Sequence, residues 1–165
     1  MEKSYKFRNI EENMKKILRI LLKNEDFKKY IFYLDGNPLA QPNVTENLLK
    51  TKNILLQPFD PDILEEQRIT VFFYPADFNL RKLPLTDVTY WFIICIPTKY
   101  WLLEGFGDMR AVRIADEILM DIDQQPVAGV ADVRADSGRL LSINKNHVGI
   151  SLSIHVSNVG LKGMR

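Results

Sequence analysis

Residues 87–96 read Asp-Val-Thr-Tyr-Trp-Phe-Ile-Ile-Cys-Ile, and the reading of this run decides the fold. Successive side chains of a strand point to opposite faces. Val88, Tyr90, Phe92, Ile94 and Ile96 therefore share one face, and Thr89, Trp91, Ile93 and Cys95 share the other. Both faces are largely apolar, the pattern of a strand covered on both sides. Helices of the same chain are expected over one face, and a neighbouring subunit over part of the other. Full burial of one large apolar side chain is worth about 1.5–3 kcal/mol. Several such side chains left in water would drive association.

Downstream, Pro97 ends the run. Gly105-Phe106-Gly107 lacks the third glycine of a dinucleotide fingerprint, because position 110 is Arg110. The glycines are expected to make a turn, with Asp108 capping a helix from Met109 to Ile122. Its apolar stripe is read at 112, 115, 118, 119 and 122, with Arg110, Arg113, Asp116, Glu117 and Asp121 on the remaining surface. Gln124-Gln125-Pro126 stops that helix. Strands are expected at 127–133 and 139–143, joined by a hairpin turn at Ala135-Asp136-Ser137-Gly138. After a turn at 144–147, residues 148–156 alternate strictly. Ile150, Leu152, Ile154 and Val156 form the core face, and Gly149, Ser151, Ser153 and His155 the polar one.

Upstream, Asn9 and Glu12 have the spacing of a capping box. Ile10, Met14, Ile17, Leu18 and Leu21 follow at helical spacing, with Lys15, Lys16 and Arg19 on a solvated face. Asn24 interrupts this helix, and residues 25–33 form a second short one with Phe27, Tyr30 and Ile31 on one side. Residues 35–53 read as irregular, with a helical turn at 45–49. A short strand is expected at 54–57 and a stronger one at 68–74, where Ile69, Val71 and Phe73 oppose Thr70, Phe72 and Tyr74. Two prolines make 75–87 a long connection. The reading is one α+β domain spanning 1–165. A mixed or mainly antiparallel sheet is flanked by an N-terminal helix and a second helix. The core runs from about residue 9 to 156, with 157–165 flexible.

The 165 residues suffice for one domain with a real core. Twenty-two basic against twenty-one acidic residues give a formal charge of +1, which argues against a duplex-DNA binder resting on many phosphate contacts. Cys95 is the single cysteine and lies among apolar neighbours, so a buried inert thiol is expected. Asn43-Val44-Thr45 matches a glycosylation sequon, but no apolar signal core precedes it, and a soluble intracellular protein is expected.

No residue cluster reads as a catalytic centre. His147 and His155 have no partner at metal-ligand spacing, so neither a metal nor a cofactor is expected. Ser153 and His155 share a strand face without a positioned acid. Asp116, Glu117, Asp121, Asp123, Asp132 and Asp136 are close in sequence, as in a two-metal phosphodiesterase. They fall on different elements, and solvated charge is the simpler reading. An acidic lining that repels phosphate is the alternative. Trp91, Tyr100, Trp101 and Phe106 have too few basic neighbours for a stacking platform and are read as core or interface.

The order of elements in residues 9–156 resembles that of the small neck or tail-completion proteins of long-tailed bacteriophages, of the tail-terminator or tail-to-head joining type. The resemblance is carried by the N-terminal helix, the strands at 68–74 and 88–96, and the helix at 110–122. Pro126-Val127-Ala128-Gly129-Val130, residues 139–144 and residues 149–156 complete it. It implies a terminator-like fold and no bond chemistry. It also implies a homo-oligomeric ring, commonly a hexamer, at the head-proximal end of the tail in the virion, assembled in the host cytoplasm. The implied partners are the tail-tube protein and a head-completion or connector protein, with DNA in transit and no membrane. By the same resemblance the connection at 75–87 (Leu80, Arg81, Lys82, Leu83) and the turn region (Arg134, Asp136, Ser137, Arg139) become candidate contacts between subunits or partners. Trp91 and Trp101 join them, and Asp121 and Asp132 are candidates for the lumen. A head-completion protein of the same neck and a non-viral adaptor domain are the rival readings.

Overall fold

The computed structural model describes residues 8–78, 87–105, 107–123, 126–127 and 131–158. Four helices, α1 (Arg8–Leu21), α2 (Glu25–Phe32), α3 (Glu46–Lys50) and α4 (Arg110–Ile122), accompany six strands. The strands are β1 (Ile54–Leu55), β2 (Thr70–Phe78), β3 (Asp87–Pro97), β4 (Pro126–Val127), β5 (Ala131–Asn144) and β6 (His147–Asn158). They form one sheet in the order β1-β2-β3-β6-β5-β4. Among the described strands only β1 and β2 run parallel. The fold is α+β with a mixed sheet, as the sequence indicates.

The run that decided the reading is the centre of this sheet. β3 pairs with β2 on one side and β6 on the other. Its first face, Val88 to Ile96, is sealed by the helices. α4 lies on β3 and β6, and α1 reaches α4 and β2. Ile10, Ile17, Leu21, Ile114 and Ile118 meet Phe92, Ile94, Leu152 and Ile154 in one core. Phe73 stacks on Phe92 with centroids 4.2 Å apart. The Tyr90 hydroxyl, buried on the same face, donates to the Ile10 carbonyl at 3.0 Å, which fastens α1 to the sheet. Gly149, opposite Cys95, leaves no room for a side chain. A Cβ there would lie 2.0 Å from the Ile94 carbonyl oxygen.

Several local expectations change. α1 already includes Arg8, so Asn9 lies inside the first turn. Asn24 does end the first helical run, and it caps α2: its Oδ1 accepts from the Phe27 N–H at 3.0 Å. The buried stripe of α4 is Ala111, Ile114, Ala115, Ile118 and Ile122, and Val112 is exposed. Positions 115, 118 and 122 are buried as expected, and Arg110, expected on the remaining surface, is wholly buried. Its guanidinium donates to the carbonyls of Tyr100 (3.0 Å), Tyr30 (3.2 Å), Tyr33 (2.8 Å), Leu34 (3.4 Å) and Asp35. Most of these acceptors belong to the end of α2 and the residues after it, where helix carbonyls lack partners and the dipole favours a cation. Burial pulls the Arg110 pKa below its ordinary value, and the Asp35 charge acts the other way. Asp108 does not cap α4 with its side chain; it pairs with Arg113 at 2.8 Å.

The largest correction concerns residues 131–144. They form one strand, and Ala135-Asp136-Ser137-Gly138 is not a hairpin turn. The register with β6 shifts by one residue between Ala135 and Ser137, a bulge at Asp136. The only reversal between these strands is the turn expected at 144–147, at Lys145-Asn146, where the Asn146 N–H donates to Asn144 Oδ1 at 2.9 Å. β2 likewise continues through Pro75 to Phe78. At the C-terminal end, Ser157 and Asn158 belong to β6, while the rest of the expected flexible tail lies outside the described residues.

Candidate functional site

The second face of the sheet is unlike the first. Registered pairs share a face, so Tyr74, Trp91, Ser153 and Ser137 lie in one row across β2, β3, β6 and β5. One row along is Thr89, His155 and Arg134; on the other side is Phe72, Ile93, Ser151 and Arg139. One end of this face is closed from within the chain. Residues 56–69 fold back so that Phe59 and Leu64, with Leu55, Leu141 and Ile143, cover Phe72, Ile93 and Cys95. Phe59 meets Phe72 edge-on at 5.3 Å. Burial pushes the Cys95 thiol up to about 12, so it stays protonated and unreactive.

The other end is open. Trp91 keeps 42% of its surface exposed in the middle of a six-stranded sheet, with the Tyr74 ring 6.5 Å away. Beside this aromatic pair runs a polar row. The Ser137 and Ser153 hydroxyls are 2.8 Å apart, and Ser153 donates to Asp136 Oδ2 at 3.2 Å. The bulge aims the Asp136 carboxylate back at the sheet. His155 faces Asp87 at 3.6 Å, and Arg134 and Arg139 are exposed along β5. Ser153 thus serves Asp136 while His155 faces Asp87, so no relay links the serine to the histidine. Among the described residues no three His, Cys, Asp or Glu side chains are grouped to hold a metal ion. Among the described residues no helix is long and apolar enough to cross a membrane.

Trp91, Arg134, Asp136, Ser137 and Arg139, separated in sequence, therefore share one face or its bulge. Trp101 does not join them; it is half-buried against the helix-covered core. Leu80, Arg81, Lys82 and Leu83 lie outside the described residues. Asp121 is half-buried on α4 and accepts from the Asn24 amide at 2.9 Å, beside Glu117 at 2.8 Å. Asp132 is placed by its backbone alone, opposite Ser157 and Pro126.

Two polar anchors and one aromatic neighbour carry no signal in the sequence. Asn53 donates from one amide to the carbonyls of Ile31 and Ile69, both at 2.9 Å, joining α2 to the start of β2. His147 is buried between Asn144 and the Glu65 carbonyl and holds the chain before β2 against the β5–β6 turn. Tyr74, beside Trp91, was assigned only to a strand face, because the β2–β3 register that pairs the two rings has no signal in a single sequence.

A protein-family model, YomW, matches residues 24–156, from the cap of α2 to near the end of β6. No curated protein matches the chain.

Proposed function

The chain belongs to the YomW family, a phage-derived one, and from that premise we propose that it is a non-enzymatic structural component of a phage particle. In this reading, copies join head to tail into a ring, commonly a hexamer, at the head-proximal end of the tail. The ring ends the tail tube, offers the filled head a docking surface and leaves a passage for DNA.

One observation carries the proposal. The sheet face around Trp91 is finished at one end by the chain's own residues 56–69, and at the other no described residue seals Trp91, which keeps 42% of its surface exposed. A half-exposed tryptophan next to a tyrosine, rimmed by serines and charges, has the make-up of an interface centre: aromatic in the middle, polar at the edge. A second copy that covers Trp91 supplies the missing part of the cover. A contact between unlike surfaces of successive copies closes into a ring when the rotation between them closes.

The decisive experiment is electron microscopy of the purified protein mixed with isolated tails, for the natural chain and for Trp91→Asp. Rings at tail ends with the natural chain, lost with the variant at an unchanged unfolding midpoint, support the proposal. A stable monomer that never binds tails overturns it. Binding to tails that is indifferent to Trp91→Asp removes this face from the ring contact.

A further inference from the structure

The two long edges of the sheet are guarded differently. At the β2 edge, β1 covers only Val71 and Phe72. The Val71 N–H donates outward to the Asn53 carbonyl at 2.7 Å, so Pro75, in the same phase, falls where an outward donor would be and supplies none. A bulge at Ala76 follows. Proline and a bulge are the usual protections of an edge strand.

At the other edge, β4 covers only Ala131 and Asp132 of β5, and no described strand pairs with the remainder. The Ala135 N–H donates to Asp123 Oδ1 at 2.8 Å, away from β6. Before the bulge, then, odd-numbered residues turn their backbone groups outward. The extra residue at Asp136 reverses the phase. Gly138, Leu140 and Ser142 consequently present their N–H and C=O to the open side. Between this bulge and the next irregularity, at Ile143, residues 137–142 contain no proline and no break. Leu140 stands on this edge with 64% of its surface exposed.

We propose that this edge pairs, antiparallel, with the same edge of a second copy of the chain, centred on Leu140. About a two-fold axis normal to the sheet, facing residues must lie on the same side, which restricts the centre to a residue rather than a gap. A centre on Leu140 sets it against Leu140 of the second copy and Gly138 against Ser142, so that outward donors meet outward acceptors. It also sets Arg139 against Leu141 and carries Asp136 to the turn that bears Lys145, a complementary charge. A centre on Arg139 opposes two guanidinium groups, and centres further along meet a bulge. The contact is isologous and closes at two copies. Its edge is distinct from the face around Trp91, so variants at the two places test separate contacts.

Sedimentation equilibrium of the full chain reads the outcome. The mass rises with concentration from 19.2 kDa towards twice that value. Leu140→Lys, which opposes two ammonium groups on an exposed edge, returns it to the monomer at unchanged circular dichroism and unfolding midpoint. Leu140→Cys is joined by a short bis-maleimide, while Met120→Cys, 75% exposed but on α4, is not. A natural chain monomeric at every concentration overturns the proposal. So does a dimer that survives Leu140→Lys, or equal linking at positions 120 and 140.

Discussion

Replacing Arg110 with methionine keeps the length and removes the charge. The guanidinium lies at zero exposure and spans five carbonyls on α2, the residues after it and the chain before α4. None of its hydrogen-bond acceptors is a carboxylate, so these dipoles, together with the nearby Asp35 charge, compensate the buried cation. With methionine, the cost of desolvating the charge disappears, but several buried acceptors lose their donor. Each buried unsatisfied group costs about 1–3 kcal/mol. Relaxation and water entry recover part of the sum, which leaves a net loss of about 3–5 kcal/mol, the range seen when one side of a buried charged contact is removed. For a chain of this length each kcal/mol moves Tm by roughly 2–4 °C, so the midpoint falls by about 6–20 °C. Arg110→Lys restores the charge without the planar fork and recovers only part of this. Urea unfolding followed by tryptophan fluorescence, with thermal unfolding by circular dichroism, measures the series. Arg113→Met is the control, because its pair with Asp108 is exposed; its midpoint stays near that of the natural chain. A loss below about 1 kcal/mol for Arg110→Met would show that the bonds only offset the desolvation of the guanidinium and would refute the reasoning.

Two further substitutions or titrations follow from the packing. Gly149→Ala places a methyl group on the Ile94 carbonyl, a backbone atom at the sheet centre, and costs at least about 2 kcal/mol in chemical denaturation. Gly138→Ala meets only the flexible end of Leu152, at 3.3 Å, and is nearly silent by the same measurement. The Cys95 thiol has its folded pKa raised from 9.0 to about 12, so between these values the unfolded chain binds fewer protons than the folded one. Stability contributed by the protonated thiol is therefore complete below pH 9 and declines as pH rises towards 12. An aromatic disulfide reagent labels Cys95 at the rate of unfolding; fast labelling of the folded chain would contradict its burial.

The sheet centre was legible because β3 is an unbroken apolar run and β6 alternates strictly, and pairing keeps equal numbers of residues on each side. The core face of α1 was legible for the analogous reason at helical spacing. Elsewhere, local chemistry pointed the wrong way. Asp136, Ser137 and Gly138 have turn composition, yet one extra residue absorbs them as a bulge, and only the pairing with β6 decides between the two. Arg110 at the start of a helix reads as solvent-facing charge, and the expected stripe of α4 accordingly held Val112 and Leu119 where the buried face has Ala111 and Ile114, with 115, 118 and 122 common to both. The candidate site was half legible. Trp91 stood out as an aromatic residue on the second face of a doubly apolar strand. Its meeting with Ser137 and Ser153 depends on a register across three strands, and the assignment of Trp101 to the core depends on how the chain between β3 and α4 is held, as where the Glu104 N–H donates to the Gly36 carbonyl at 2.7 Å.

The β3–β6 ladder runs through eleven residue pairs without a slip, while the ladders on either side each carry irregularities. Twist and strain relief are thereby concentrated in the flanks, and the middle of the molecule behaves as a stiff keel. Any adjustment to curvature, as when identical blocks must fit around a circumference, falls to the outer strands β2 and β5, which carry the bulges.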